Sequence, residues 1–190
     1  MSLDGYLAGP NGEADWIVMD PDIDFGALMN AFDTVIMGRK TYEATKQYSG
    51  AGAGMPGMQV HVLSRTLKQE DCPGIVVSND AAKTVAELKA GQGKDIWLFG
   101  GGELFRSLLE VRLVDSVEVA VIPVLLGDGV PLLPAPSART KLKLVKHHVY
   151  PRPARWRWST HRPDFCRPVS PNRLNRLTLS SAPADGKAGN

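Results

Sequence analysis

Along the first 150 residues, apolar and polar positions alternate in short blocks whose period switches between that of a strand and that of a helix. Residues 3–8 carry the spacing of part of a strand, and residues 34–37 are a continuous apolar run of the kind that fills a sheet interior. Residues 59–63, 75–77, 96–99 and 116–122 repeat the strand pattern, and residues 141–150 close the series. Between these blocks, residues 22–31, 39–48, 81–90 and 103–111 have the length and spacing of helices. Alternating strands and helices predict an α/β fold, because parallel neighbours need crossover helices. The expected architecture is a three-layer sandwich, a mostly parallel central sheet flanked by helices. In such a sheet ligands bind beyond the carboxyl ends of the strands.

After Tyr150 the pattern changes. Residues 1–150 hold 14 Lys+Arg against 18 Asp+Glu, whereas residues 151–190 hold 8 against 2, so a chain of net charge +2 is acidic in its body and basic in its tail. The tail opens Pro151-Arg152-Pro153-Ala154-Arg155-Trp156-Arg157-Trp158 and continues in Pro, Ser, Arg and Asn. It reads as an irregular or disordered appendage, residues 151–190, to a domain of residues 1–150. Arginine and tryptophan can engage phosphates and bases, but arginines in a Pro-rich segment are more simply solvated, so nucleic acid is not the expected partner.

A chain of 190 residues accommodates one domain and an appendage. No apolar run approaches the roughly 20 residues that span a bilayer, and the start Met1-Ser2-Leu3-Asp4-Gly5 lacks the basic and apolar regions of a leader, so the expected location is cytoplasmic, with no membrane partner. Cys72 and Cys166 form no CxxC pair, and His61, His147, His148 and His161 lack ligand spacing. Two free thiols and no metal site are expected.

Three turns carry the candidate chemistry. In Met37-Gly38-Arg39-Lys40-Thr41-Tyr42-Glu43 an apolar strand turns at Gly38 into a helix bearing Arg39, Lys40 and Thr41. Helix starts attract anions, which makes this a phosphate-site candidate, although Gly38 could equally serve a tight turn with solvated charges beside it. In Phe99-Gly100-Gly101-Gly102-Glu103 three glycines remove every Cβ where a diphosphate would approach the backbone, again at a helix start. This is neither a Walker A loop nor GxGxxG; the alternative is a flexible turn. The third, Leu63-Ser64-Arg65-Thr66, follows another strand, where Ser64 and Arg65 suit an adenosine 2′-phosphate.

These turns, with Ser2-Leu3-Asp4-Gly5-Tyr6-Leu7-Ala8 and Leu113-Val114-Asp115 through Ile122-Pro123-Val124-Leu125-Leu126-Gly127-Asp128-Gly129, resemble the C-terminal reductase (RibD C-terminal) domain of bacterial riboflavin-biosynthesis proteins. The resemblance extends to that domain's stand-alone relatives in the dihydrofolate-reductase-like superfamily and covers roughly residues 2–148. It implies an NADPH-dependent oxidoreductase that transfers a hydride to a C=N or C=O bond of a small pterin-, pyrimidine- or flavin-precursor-like substrate. The activity would be akin to 5-amino-6-(5-phosphoribosylamino)uracil reduction. NADPH would run along Gly38, Arg39, Lys40 and Thr41, set its 2′-phosphate near Ser64 and Arg65, and lay its diphosphate on Gly100, Gly101, Gly102 and Glu103. Asp4 would be a substrate contact or proton-network member, its alternative being a turn-capping aspartate before Gly5. Asp15 and Trp16 are a further pocket candidate, and Asp20, Asp22 and Asp24 lie nearby without matching a folate-reductase motif. A homodimer is a further expectation of the resemblance.

Two departures from that pattern matter. Relatives carry several residues of strand ahead of Ser2-Leu3-Asp4-Gly5, so a strand in the sheet interior is expected to be cut short, exposing strand edges. Relatives also end with a strand after a tyrosine like Tyr150, where this sequence becomes Arg-rich. The competing reading is therefore a non-catalytic or decayed nucleotide-binding protein of the same fold.

Overall fold

The apolar runs become strands in the computed structural model, which describes residues 1–17, 23–49, 55, 57–151, 154–161 and 177–180. In chain order the elements are β1 (Tyr6–Ala8), α1 (Phe25–Asn30), β2 (Phe32–Gly38), α2 (Arg39–Ser49), β3 (Gln59–Leu63), β4 (Val76–Ser78), α3 (Ala81–Ala90), β5 (Asp95–Gly100), α4 (Gly102–Glu110), β6 (Ser116–Val121), β7 (Val130–Pro131), β8 (Lys143–Pro151), β9 (Ala154–His161) and β10 (Leu177–Ser180). The main sheet has the order β4-β3-β2-β5-β10-β6-β9-β8. Its first six strands are parallel, β9 runs antiparallel beside β6, and β8, antiparallel to β9, runs in the direction of the first six. β1 and β7 form a separate antiparallel ribbon. Among the described residues no helix is long and apolar enough to cross a membrane.

The two-residue period of the interior strands sorts their side chains into two cores. Val35, Met37, Val60, Val62 and Trp97 pack with Phe32 and Tyr42, and Leu28 and Met29 of α1 cover this cluster. On the other face Ile36, Ile96 and Leu98 pack with Val85 of α3 and with Leu104, Phe105, Leu108 and Leu109 of α4. Adjacent residues thus feed opposite cores, which makes the sheet the middle layer of the expected sandwich. Local signals set the helix starts: Asp24 Oδ1 accepts from Ala27 N at 2.8 Å, and Asp80 Oδ1 accepts from Lys83 N at 2.9 Å.

The tail departs from its expected irregularity. β9 pairs with both β6 and β8 in antiparallel register, Val117 facing Thr160 and His147 facing Trp158. Its sequence Arg155-Trp156-Arg157-Trp158 alternates with the period of a strand, a signal masked by the surrounding prolines and charge.

β10 is the larger correction, because it lies in the sheet interior. It runs parallel between β5 and β6, with Leu177 beside Ile96 and Thr178 beside Ser116. Leu177 is 0% and Leu179 4% exposed, both within the core beneath α3 and α4. Two polar contacts accompany it: Ser116 Oγ and Thr178 Oγ1 share a hydrogen bond of 2.7 Å, and Leu177 N donates to Asp115 Oδ2 at 2.9 Å. Met1 and Ser2 continue the same line along β6, Met1 N donating to Ala120 O and Ser2 bridging Ile122 in parallel. The interior position expected to be cut short is thus held by β10 over Ser116–Glu118 and by Met1 and Ser2 farther along.

Leu177→Ala is expected to lower the unfolding free energy by about 2 to 5 kcal/mol, the cost of truncating a fully buried leucine. Leu125→Ala, at a side chain 70% exposed, is expected to change it by less than about 0.5 kcal/mol. Urea denaturation of the full chain reads both; equal midpoints would remove β10 from the cooperative core.

Candidate active site

Parallel strands end on one edge, and the register brings three of the turns predicted from sequence side by side there. Gly38, the last residue of β2, pairs with Leu63 at the end of β3, while Met37 pairs with Gly100 at the end of β5. The order across the edge is therefore Ser64 and Arg65, then Gly38 to Thr41, then Gly100 to Glu103. α2 begins directly after Gly38 and α4 directly after Gly101.

The glycines differ in what they provide. Gly101 has φ +94°, a conformation L side chains rarely adopt, and a Cβ there would lie 3.5 Å from Thr41 Oγ1 and 3.9 Å from Gly38 N. The turns after β2 and β5 are thus in contact. A Cβ at Gly38 would meet nothing within 4 Å, so the space above it is open. Gly102 faces elsewhere: a Cβ there would lie 2.8 Å from Pro131 O and from Pro134 Cδ, which makes its glycine a packing requirement of residues 131–134. No side chain caps α4 at Gly101, so no side-chain acceptor occupies its first amide groups.

The charged candidates divide in the same way. Arg39 is held along its own helix by Glu43, with bonds of 2.9 and 3.0 Å, and Lys40 is exposed with no partner among the described residues. The Glu103 carboxylate turns back to Arg106 at 2.6 Å, which leaves its backbone as the part facing the turn. Ser64 Oγ accepts from Thr66 N at 3.1 Å and Leu67 N at 3.0 Å, so this hydroxyl builds its own turn. Arg65 beside it is exposed and has no partner among the described residues.

Asp4 lies farther along the same edge, beyond β6. Its carboxylate accepts from Leu126 N at 3.0 Å and Gly127 N at 2.8 Å, and the turn-capping alternative describes this geometry. Hydrogen bonds, first from the Ser2 hydroxyl and then from Gly127 N, hold the Asp4 carboxyl below the usual carboxylate range. The β1–β7 ribbon joins this region to the glycine turn, because Tyr6 pairs with Pro131 and Pro131 packs on Gly102. Sequence reasoning did not single out Pro131 or Pro134, whose only signal is Pro content. Nor did it single out Ser2, which is 0% exposed and accepts from Tyr6 N at 2.8 Å.

Of the remaining candidates, Asp24 caps α1, Asp15 is exposed, and Trp16 Nε1 donates to Glu13 O at 3.2 Å. Asp20 and Asp22 lie outside the described residues, as does Cys166, while Cys72 is a buried free thiol.

The model of the RibD C-terminal domain family matches residues 1–153. Two uncharacterized proteins of Bacillus subtilis (strain 168) are similar. YyaP is 34% identical over 160 residues, covering 79% of this chain and 85% of YyaP, and YwjB is 31% identical over 148 residues, covering 76% and 84%. A Shewanella sp. PV-4 protein named for riboflavin biosynthesis superposes with a TM-score of 0.72 at 27% identity, covering 85% of this chain and 94% of its own. Enterococcus faecalis dihydrofolate reductase, solved with NADP(H), gives 0.63 at 19% identity over 86% and 93% of the two chains. A Thermotoga maritima diaminohydroxyphosphoribosylaminopyrimidine deaminase/5-amino-6-(5-phosphoribosylamino)uracil reductase also gives 0.63, at 16% identity, over 85% of this chain and 54% of that one. Sequence match and sheet order lead to one conclusion: the chain belongs to the RibD C-terminal domain family and has the dihydrofolate-reductase-like α/β fold.

Proposed function

We propose that this protein is an NADPH-dependent reductase acting on a C=N or C=O bond of a small pterin-, pyrimidine- or flavin-precursor-like heterocycle. The observation that carries the reading is the meeting of the turns after β3, β2 and β5, with open space above Gly38 and uncapped amides at α4. Those features fit a dinucleotide diphosphate, which needs close backbone approach and donors without side chains in the way. The names of the Thermotoga and Enterococcus neighbours support the same class of chemistry.

NADPH, when bound, supplies the hydride, and the protein's task is orientation. In this reading the Thr41 hydroxyl and the first amides of α4 hold the diphosphate. Arg65 pairs with the 2′-phosphate, with Ser64 shaping the turn that presents it. Lys40 adds positive potential at the same edge. Asp4 is a positioning residue: by fixing Leu126 and Gly127 it shapes the wall on the substrate side. A homodimer belongs to the same proposal.

Calorimetric titration of the purified chain is expected to give tighter binding of NADPH than of NADH. Arg65→Ala should weaken NADPH roughly tenfold while leaving NADH nearly unchanged, as loss of a charge-assisted hydrogen bond requires. Equal losses would remove Arg65 from the 2′-phosphate role.

Gly38→Ala separates binding from folding. Its backbone accepts a side chain and a Cβ there touches nothing, so the melting temperature should hold while NADPH binding falls. Unchanged binding would place the cofactor elsewhere.

For Asp4→Asn the expected signature is pH dependence. The folded-state carboxyl titrates below its unfolded value, so its stabilisation is fully present above the ordinary carboxylate pKa and is lost as pH falls through the lowered one. Wild type and variant should therefore differ in stability near neutrality and converge in acid. A constant gap would contradict the carboxylate clamp.

A further inference from the structure

The middle of β3 carries a histidine between apolar neighbours. His61 pairs along the backbone with Ile36 of β2 and Val76 of β4, and it is 6% exposed. Both ring nitrogens are closed off from solvent, and neither has a hydrogen-bond partner among the described residues. Such burial disfavours the charged ring and pushes the imidazole's pKa down, so His61 is held neutral. The charged groups that face it do not offset this. A cleft of about 650 Å³ separates α3 from the strands here; α3 brings Glu87 to it, the start of β2 brings Asp33, and the turn before β5 brings Lys94. From β3 and β4 come only the uncharged Gln59, Val76 and Ser78. Asp33 accepts from Thr34 Oγ1 at 2.9 Å and from Lys94 N, Lys94 Nζ donates to Asn30 O at 2.8 Å, and Glu87 lies 3.9 Å from Lys83. None of them bonds to a ring nitrogen of His61.

The elements over His61 are the ones most easily displaced. β4 is the outermost strand of the main sheet and has three residues, and α3 follows it directly. The last turn of α3 is fixed, because Lys89 Nζ bonds to Asp115 Oδ2 and to Leu113 O. Toward its start the tie to β4 is the Ser78–Thr84 hydroxyl pair at 2.7 Å. Moving β4 and the first turns of α3 about the Lys89 end therefore brings water to the imidazole while β2, β5 and β10 stay paired. That motion uncovers Val85, which is 0% exposed, so it is uphill while the ring is neutral. A proton on a ring without a partner supplies the driving force.

We propose that His61 is a proton-operated latch on the β4–α3 edge: when the ring takes up a proton, β4 and the first turns of α3 move off it and the cleft opens to water. Glu87 and Asp33, already at the cleft, favour the charged ring once it is hydrated. The sign follows from linkage. The closed ring titrates below the opened one, so closure is fully favoured above the ordinary histidine value and is lost as pH falls toward the lowered one. The motion also reaches the turn before Arg65, because Ser64 N donates to Ser78 O, at the end of β4, at 2.8 Å. The latch itself does not depend on what that turn binds.

The test is amide hydrogen exchange of the full chain near pH 7 and near pH 5, corrected for the intrinsic pH dependence of exchange and repeated in low urea. The Ser64 and Val85 amides are expected to open about tenfold or more more often in acid, the leverage of one histidine proton. Their exchange should respond little to urea, as a local opening does, whereas that of Val35 and Leu98 should follow urea steeply, as global unfolding does. His61→Phe, which keeps a ring and removes the proton site, should abolish the acid response of Ser64 and Val85. The proposal is overturned if those two amides follow urea as steeply as Val35 and Leu98, or if the acid response survives in His61→Phe. Wild type alone decides if that variant does not fold: in spectra of ¹⁵N-labelled histidine, a His61 ring that charges at the ordinary histidine pH while Ser64 stays protected also overturns it.

Discussion

The joint between β5 and β6 depends on four residues, Leu177 to Ser180, which hydrogen-bond to both neighbours at once. Without them each neighbour would present a buried row of unpaired backbone groups, and the core under α3 and α4 would lose two fully covered leucines. The slot is secured by a buried polar clamp. Lys89 Nζ of α3 lies 2.5 Å from Asp115 Oδ2 and 3.0 Å from Leu113 O, and the same Asp115 oxygen accepts from Leu177 N. A carboxylate only 7% exposed is tolerable because a cation and a backbone donor meet it together. One residue thereby ties a helix, the loop before β6 and the interior strand to a common register.

That register decides where the chemistry lies. β5 ends in the Gly100–Gly102 turn, and β6 leads into the segment that Asp4 holds, so the strand between them sets the spacing of the proposed cofactor-side and substrate-side walls. The glycines then divide the work. Gly101 supplies a left-handed turn against Thr41, Gly38 leaves space open, and Gly102 lets residues 131–134 approach. Replacing any of the three acts through a different physical route, although in sequence two of them are adjacent.

What the sequence made legible follows from the range of each signal. The strand and helix blocks of residues 32–122 were legible because two-residue and helical periods are local, and the three turns because glycine after an apolar run is local too. Partner choice was not. Ser64 reads as a phosphate ligand, while its hydroxyl accepts from Thr66 and Leu67, and Asp4 reads as a substrate contact, proton-network member or turn cap, a choice that depends on Leu126 and Gly127 more than a hundred residues away. β9 carried its signal in Arg155-Trp156-Arg157-Trp158, outweighed by composition. β10 offered only Leu-Thr-Leu-Ser amid polar residues, and a four-residue parallel strand gains its meaning from neighbours about eighty and sixty residues away.

A parallel sheet with crossover helices is electrostatically polarised, and the candidate cofactor turns fall on the side where helices begin. At the carboxyl ends of the strands, helices begin; uncapped amides, Lys40 and Arg65 make that edge favourable to phosphates. Toward the amino ends α3 terminates, with Gly91 N satisfying the Glu87 and Leu88 carbonyls, and Asp33 and Glu87 lie nearby. The direction in which every β-α unit runs thus assigns the sign of each edge before any side chain is counted.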